Sequence, residues 1–321
     1  MEQILASAAP TSPSNSSLHA ARSAKNDEFY TQISDIEKEL RHYKDHLKGK
    51  VILCNCDDPE WSNFWLHFTL KFEDYGLAKV VATHYSRGEP SYKLEFTGKD
   101  QPVVRTPLQG DGDFRSDECV ELLTSADIVV TNPPFSLFRE YVAQLVEHEK
   151  QFLIIGNNNA LTYKDVFKLI KENKLWMGVS PRSMKFKLPD GSEKDVNACW
   201  FTNLSHHKRN EELVLFKSYR GNEASYPRYY NYDGIEVSKV VDIPIDYQGL
   251  MGVPITFLDK YNPTQFEIVG LANDKRAVDD AFVQGRETHL DEQHKRFVGM
   301  VLSENGKLRA TYARIIIKKK S

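Results

Sequence analysis

The sequence predicts an α/β fold: a doubly wound, mostly parallel sheet with an appended C-terminal α+β region. Three observations predict it. Short, nearly unbroken apolar runs recur, as strands buried on both faces require. Amphipathic stretches at helical spacing separate them, the alternation that builds parallel sheets covered on both sides. Polar motifs stand at the ends of the runs, where ligands sit in such sheets.

The elements follow in order. Ser34 opens a helix with a capping box to Glu37 and a stripe of Ile36, Leu40, Tyr43 and Leu47, and Gly49 closes it. Residues 51–56 form a strand running into Asp57 and Asp58. Ser62 caps a helix striped by Phe64, Trp65, Phe68, Phe72 and Tyr75. Residues 79–83 are a strand, and 91–97 alternate like an edge strand or hairpin arm. After the loop 110–114, Ser116 caps a helix with Asp117 and Glu118 in its positive first turn. The strand 127–131 stops at Asn132-Pro133-Pro134-Phe135, and the next helix presents Leu137, Phe138, Tyr141, Val142, Leu145 and Val146. Residues 151–155 are a strand, Thr162 caps a helix with Tyr163, Val166, Phe167 and Ile170, and 175–179 are a further strand.

Beyond residue 180 the pattern loosens. Residues 184–188 and 196–203 pair as a hairpin around Pro189-Asp190-Gly191, and residues 221–262 show little periodicity. Residues 266–271 form a strand, 281–298 a polar helix, and Lys318 to Lys320 a mobile tail. The divisions are a leader over 1–24, a first domain over 25–220 and a second region over 221–321. The leader is rich in Ser, Ala and Pro and lacks the basic start and apolar centre of a signal peptide; it reads as disordered or as a cloning remnant.

Composition excludes several classes. No apolar run approaches the ~20 residues that span a bilayer. Cys54, Cys56, Cys119 and Cys199 lack zinc-type spacing, so no metal is expected and the thiols are read as reduced, in a cytoplasmic protein. Net charge is −3, yet its distribution is uneven. Residues 1–160 carry 16 basic against 24 acidic side chains, whereas residues 161–220 carry 12 against 7. A basic middle suits phosphate contact, although scattered surface charge would look the same.

Asn132-Pro133-Pro134-Phe135 carries the chemistry. Successive prolines lack N–H groups and stiffen the chain, so their carbonyls can face a ligand, and Asn132 before a proline is held extended. The side-chain oxygen of Asn132 and the carbonyl of Pro133 then match the two hydrogens of an exocyclic amine. Holding both draws the nitrogen towards tetrahedral geometry and frees its lone pair. Phe135 offers a face on which an extruded base can stack. The competing reading is a strand-to-loop junction ended by prolines.

Asn-Pro-Pro-Phe after a strand resembles the catalytic motif of amino-methyltransferases, and Asp27-Glu28-Phe29-Tyr30-Thr31 resembles their cofactor motif. Longer strings at 54–59, 112–116, 128–140, 199–204 and 251–263 resemble the EcoRI-type adenine-specific DNA methyltransferases, from about Ala24 to about Gly270. The resemblance implies a Rossmann-like methyltransferase fold and S-adenosylmethionine as methyl donor. It also implies an adenine flipped from double-stranded DNA and direct transfer to its 6-amino group. On the matching positions, Asn132, Pro133 and Phe135 hold the adenine, with Pro134 completing the motif. Phe29, Tyr30, Asp57 and Asp58 contact the cofactor, and Asp113 and Phe114 lie near its adenosine half. The region 221–321 is then the target-recognition part, as in restriction-modification enzymes. Lys185, Lys187, Lys208 and Arg209 are the expected phosphate contacts in a bacterial or phage-infected cell, with no obligate protein partner.

The chain departs from the wider methyltransferase pattern twice. No glycine-rich turn follows the first strand, and the next strand ends in Thr83-His84-Tyr85 without the usual acid, which leaves the ribose partner open between Tyr85 and Asp58. Trp200 and Phe201 either flank the base or belong to the core. The tetrapeptide also serves methyltransferases of RNA bases and of protein glutamine, and an inactive methyltransferase-like DNA-binding protein is the third reading.

Overall fold

The computed structural model describes residues 30–56, 58–88, 90–180, 182–187, 192–273, 276–277, 300–304 and 306–320. The leader over 1–24, Phe29, Asp57, the turn 189–191 and the helix expected over 281–298 lie outside the described residues.

Strands form where apolar runs stand. After β1 (Tyr30–Thr31) come α1 (Ile33–Leu40), α2 (Lys44–Leu47) and β2 (Val51–Cys54). Next are α3 (Asn63–Leu70), α4 (Phe72–Tyr75), β3 (Lys79–Thr83), β4 (Tyr92–Phe96) and β5 (Val104–Pro107). Then follow α5 (Asp117–Ser125), β6 (Ile128–Thr131), α6 (Phe138–Glu147), β7 (Gln151–Asn157), α7 (Lys164–Lys171) and β8 (Trp176–Met177). The hairpin β9 (Met184–Lys187) and β10 (Glu193–Val196) precedes β11 (Ala198–Thr202) and α8 (His207–Asn210).

The main sheet has the order β5-β4-β3-β2-β6-β7-β11-β8. Its central strands β3, β2, β6 and β7 run parallel, and antiparallel pairings add two strands on each side. Alternate residues serve opposite faces. Ile52, Val80, Val130 and Leu153 meet Ile36, Leu40, Phe64 and Phe68 on one side. Leu53, Val81, Val129 and Phe152 meet Leu123, Tyr141, Val142 and Leu145 on the other. Each of these side chains contributes about 1.5–3 kcal/mol by leaving water. The expected doubly wound sheet is what forms, and Trp200 and Phe201 are buried within it on β11.

Several local expectations change. The first helix is two, α1 and α2, with Gln32 rather than Ser34 at its N-terminal cap position; the stripe Ile36, Leu40, Tyr43 and Leu47 is nonetheless fully buried. Thr162 closes a 3-10 turn by donating to the Asn159 carbonyl, and α7 starts after Tyr163 without a side-chain cap. The strand expected over 175–179 is the two-residue β8. β9 pairs with residues 193–196, not with 196–203. The chain changes sheets at Asn197, and β11 joins β7.

The described residues after 221 include a second sheet with β12 (Ile235–Glu236), β13 (Met251–Pro254), β14 (Phe266–Asn273) and β15 (Arg276–Ala277). The pair β16 (Val301–Glu304) and β17 (Lys307–Ala310) leads to β18 (Arg314–Lys319), which lies between β13 and β14. The expected loose tail is thus a central strand, because Ile315, Ile316 and Ile317 bury fully or nearly so. Lys320 is also tied down, its ammonium donating to the Pro263 carbonyl at 2.8 Å. One apolar cluster runs from Val129 and Phe152 through Phe167 to Phe257, Phe266 and Ile317, so the two sheets share a core.

Candidate active site

The parallel strands deliver their polar residues to one rim. Register aligns Leu53 with Val129 and Cys54 with Ala82, so the exits of β2, β3 and β6 stand side by side, about 4.8 Å between neighbours. Asn55 leaves β2 buried, and its Oδ1 accepts from the Tyr141 hydroxyl at 2.5 Å. Burial pushes the Tyr141 phenol well up, which keeps that donor protonated. Asp58 follows. Its Oδ1 accepts from the Glu60 amide at 2.9 Å and the Tyr92 hydroxyl at 3.3 Å, and its Oδ2 lies 3.7 Å from Nε2 of His84. Ser62 then caps α3 by accepting from the Phe64 amide, as the sequence predicts.

The loop 110–114 packs onto the exit of β3. Ser91 and Ser86 donate their amides to the Gly110 and Asp111 carbonyls at 3.0 and 2.8 Å. Gly112 sits at φ +79°, and a Cβ there would come within 2.0 Å of the His84 carbonyl oxygen, so only glycine fits. Asp113 accepts from the Arg115 amide and guanidinium at 2.9 and 2.8 Å, and these bonds hold its carboxyl below the usual range. Phe114 is buried edge-on against Tyr141, with ring centroids 5.0 Å apart.

The tetrapeptide ends β6. Asn132 is 8% exposed and its Oδ1 is buried. The Pro134 carbonyl accepts from the Leu137 amide at 2.9 Å and starts the 3-10 turn Phe135–Leu137. The Pro133 carbonyl takes no backbone hydrogen bond among the described residues. The half-buried Phe135 ring meets Phe186 of β9 edge-on at 6.4 Å.

That contact joins two motifs far apart in the chain. β9 pairs with β1, Tyr30 opposite Lys187 and Thr31 opposite Phe186. The Thr31 carbonyl also accepts from the Asn63 side chain at 2.7 Å. The Tyr30-Thr31 backbone is thereby fixed between α3 and the strand that supports Phe135. Phe186, Tyr92, Ser91 and His84 are further candidate residues of this rim that sequence reasoning did not select. Only His84 gave a signal, as the residue standing where an acid was expected.

The four expected basic contacts separate. Lys185 is exposed on β9, next to the rim, and Lys187 lies on the same strand. Lys208 and Arg209 lie elsewhere. β11 runs antiparallel to β7, so the chain leaves it at the end of the sheet opposite the rim. There the Lys208 ammonium donates to the Val179 carbonyl at 3.1 Å. The Arg209 guanidinium lies 4.0 Å over Trp176 and donates to Asn173 at 2.7 Å, and burial lowers its pKa. Both stand at the far end of the sheet from Lys185.

A doubly wound α/β sheet whose rim presents Asn-Pro-Pro-Phe beside an acidic first-strand exit defines an amino-methyltransferase. The family described as "Adenine-specific methyltransferase EcoRI" matches residues 17–320. The chain is 43% identical to the Type II methyltransferase M.EcoRI of Escherichia coli, over 95% of this chain and 97% of that one. It is 42% identical to the Type II methyltransferase M.MpnI of Mycoplasma pneumoniae, over 94% and 97%, and 39% identical to M.MgeORF184P of Mycoplasma genitalium, over 93% and 97%. No solved structure matches the chain significantly. The protein belongs to the EcoRI-type adenine-specific methyltransferase family. It is therefore an enzyme of DNA modification, with S-adenosylmethionine as the donor its family implies.

Among the described residues no group of three or more His, Cys, Asp or Glu could hold a metal ion, and no helix is long and apolar enough to cross a membrane.

Proposed function

We propose that the rim takes an adenine rotated out of duplex DNA and presents its 6-amino group for direct methyl transfer. The observation that carries this is a buried Asn132 Oδ1 at the end of β6, followed directly by a Pro133 carbonyl that takes no backbone hydrogen bond among the described residues. Two acceptors take the two amine hydrogens, and the nitrogen lone pair turns towards the cofactor side of the rim. Phe135 stacks on the base, and Phe186 fixes the ring of Phe135 from behind. No side chain acts as a nucleophile; placement supplies the rate.

The residues present fit S-adenosylmethionine. The rim is rich in acceptors suited to ribose hydroxyls and an α-ammonium: Asp58, His84 and the buried Thr83 and Thr131 hydroxyls, which have no hydrogen-bond partner among the described residues. Phe29, Tyr30, Asp57 and Asp58 are the proposed contacts, with Asp113 and Phe114 at the adenosine half. When bound, the cofactor supplies a methyl group on a positively charged sulfur. The second sheet and its Tyr-rich approach, within residues 221–321, form the proposed target-recognition region, and the cytoplasm is the proposed location.

A duplex carrying 2-aminopurine at the target position will brighten when the protein binds, because extrusion unstacks the probe. Binding without brightening would exclude extrusion. Lys185 and Lys187 are the proposed phosphate contacts near the rim. Lys185→Gln will lower the slope of log affinity against log salt by about 0.9 and weaken all sequences alike. An unchanged slope would move the phosphate surface to the C-terminal region.

A further inference from the structure

We propose that Nε2 of His84 and Oδ2 of Asp58 form an acceptor pair that holds the two ribose hydroxyls of S-adenosylmethionine. The inference rests on the reading of the rim as the cofactor site.

A hydrogen-bond chain fixes the tautomer of His84. Ser91 Oγ lies 2.6 Å from the His84 carbonyl oxygen, and only the hydroxyl has a proton to place between them. Ser91 therefore donates to that carbonyl. The same Oγ lies 2.8 Å from Nδ1 of His84 and has no second proton, so Nδ1 carries the hydrogen and Ser91 accepts it. In the neutral ring Nε2 is then a bare lone pair. It faces Oδ2 of Asp58 at 3.7 Å, while Oδ1 is taken by Tyr92 and Glu60.

Two facing acceptors repel unless hydrogens are brought between them. Two hydroxyls on adjacent carbons, each donating once, answer that need. S-adenosylmethionine has one such diol, on its ribose. The side chains of His84 and Asp58 keep 24% and 29% of their surface exposed, so a ligand can reach them. The pair is also rigid. The His84 ring stacks on Tyr92 with centroids 5.0 Å apart, its amide donates to the Tyr92 carbonyl at 2.9 Å, and Gly112 closes over its own carbonyl. Tyr92 is held in turn by the Arg105 guanidinium, 3.5 Å from its ring centroid. His84 thus stands where an acid was expected, and Asp58 reaches over from the neighbouring strand exit to complete the site.

The test is calorimetric binding of S-adenosylhomocysteine and of its 2′,3′-dideoxy counterpart to the wild type, His84→Phe and Asp58→Asn. The wild type will prefer the intact ligand by roughly tenfold or more. Both variants will lose most of that preference and bind the dideoxy ligand as the wild type does. Preference retained in both variants, or a loss equal for the two ligands, overturns the inference, as would no preference in the wild type. Should His84→Phe fail to fold, Asp58→Asn decides alone. Failure of the wild type to bind either ligand would remove the cofactor reading itself.

Discussion

Asn132→Ala lowers methyl transfer by a hundredfold or more and leaves S-adenosylmethionine affinity unchanged. Asn132 sits buried at the end of β6, and the substitution removes one of the two acceptors proposed to shape the amine. Loss of one well-placed group in an oxyanion hole costs about 2.7–4 kcal/mol in the rate-limiting barrier, and the same order applies to this acceptor. The proposed cofactor contacts lie at the exits of β2 and β3 and on the loop 110–114, none of which the substitution touches. Single-turnover transfer and calorimetry on the same preparation separate the two effects. A variant that transfers at the wild-type rate would take Asn132 out of the mechanism.

Arg314→Leu destabilises the second sheet by about 3–5 kcal/mol. Glu236 is 2% exposed on β12, and the Arg314 guanidinium meets it through three contacts of 2.7 to 3.0 Å from β18. Tyr229 donates to the same carboxylate, and Gly252 leaves room for that hydroxyl, since a Cβ would lie 2.1 Å from it. Removing the arginine strands a buried charge in an apolar sheet. Arg314→Leu with Glu236→Leu should recover much of the loss, because both charges then disappear. Denaturant unfolding measures both. A single variant as stable as the wild type would show that the carboxylate is not held by Arg314.

The four parallel strands were legible because each is buried on both faces and reads as an unbroken apolar run. The second sheet was not. β13 is Met-Gly-Val-Pro, with two strand-weakening residues in four, and β18 ends in lysines that look like a solvated tail although three isoleucines precede them. The break between β10 and β11 is a single residue, Asn197, too short for periodicity to show.

The site divides in the same way. Asn132 and its prolines are contiguous, so their chemistry can be read along the chain. The His84-Ser91-Tyr92-Asp58 arrangement is assembled from a strand exit, a returning strand and a neighbouring loop, and its logic lies in hydrogen-bond directions. The separation of Lys208 and Arg209 from Lys185 was not legible, because charge composition does not say to which end of a sheet an antiparallel strand delivers its successor.

The most direct measurement is nucleoside analysis of duplex DNA after incubation with the protein and methyl-labelled S-adenosylmethionine. All of the label should appear as N6-methyladenine, and Asn132→Ala should slow its appearance by a hundredfold or more. Label on cytosine or on the protein itself, or no label despite bound cofactor and bound DNA, would contradict the account.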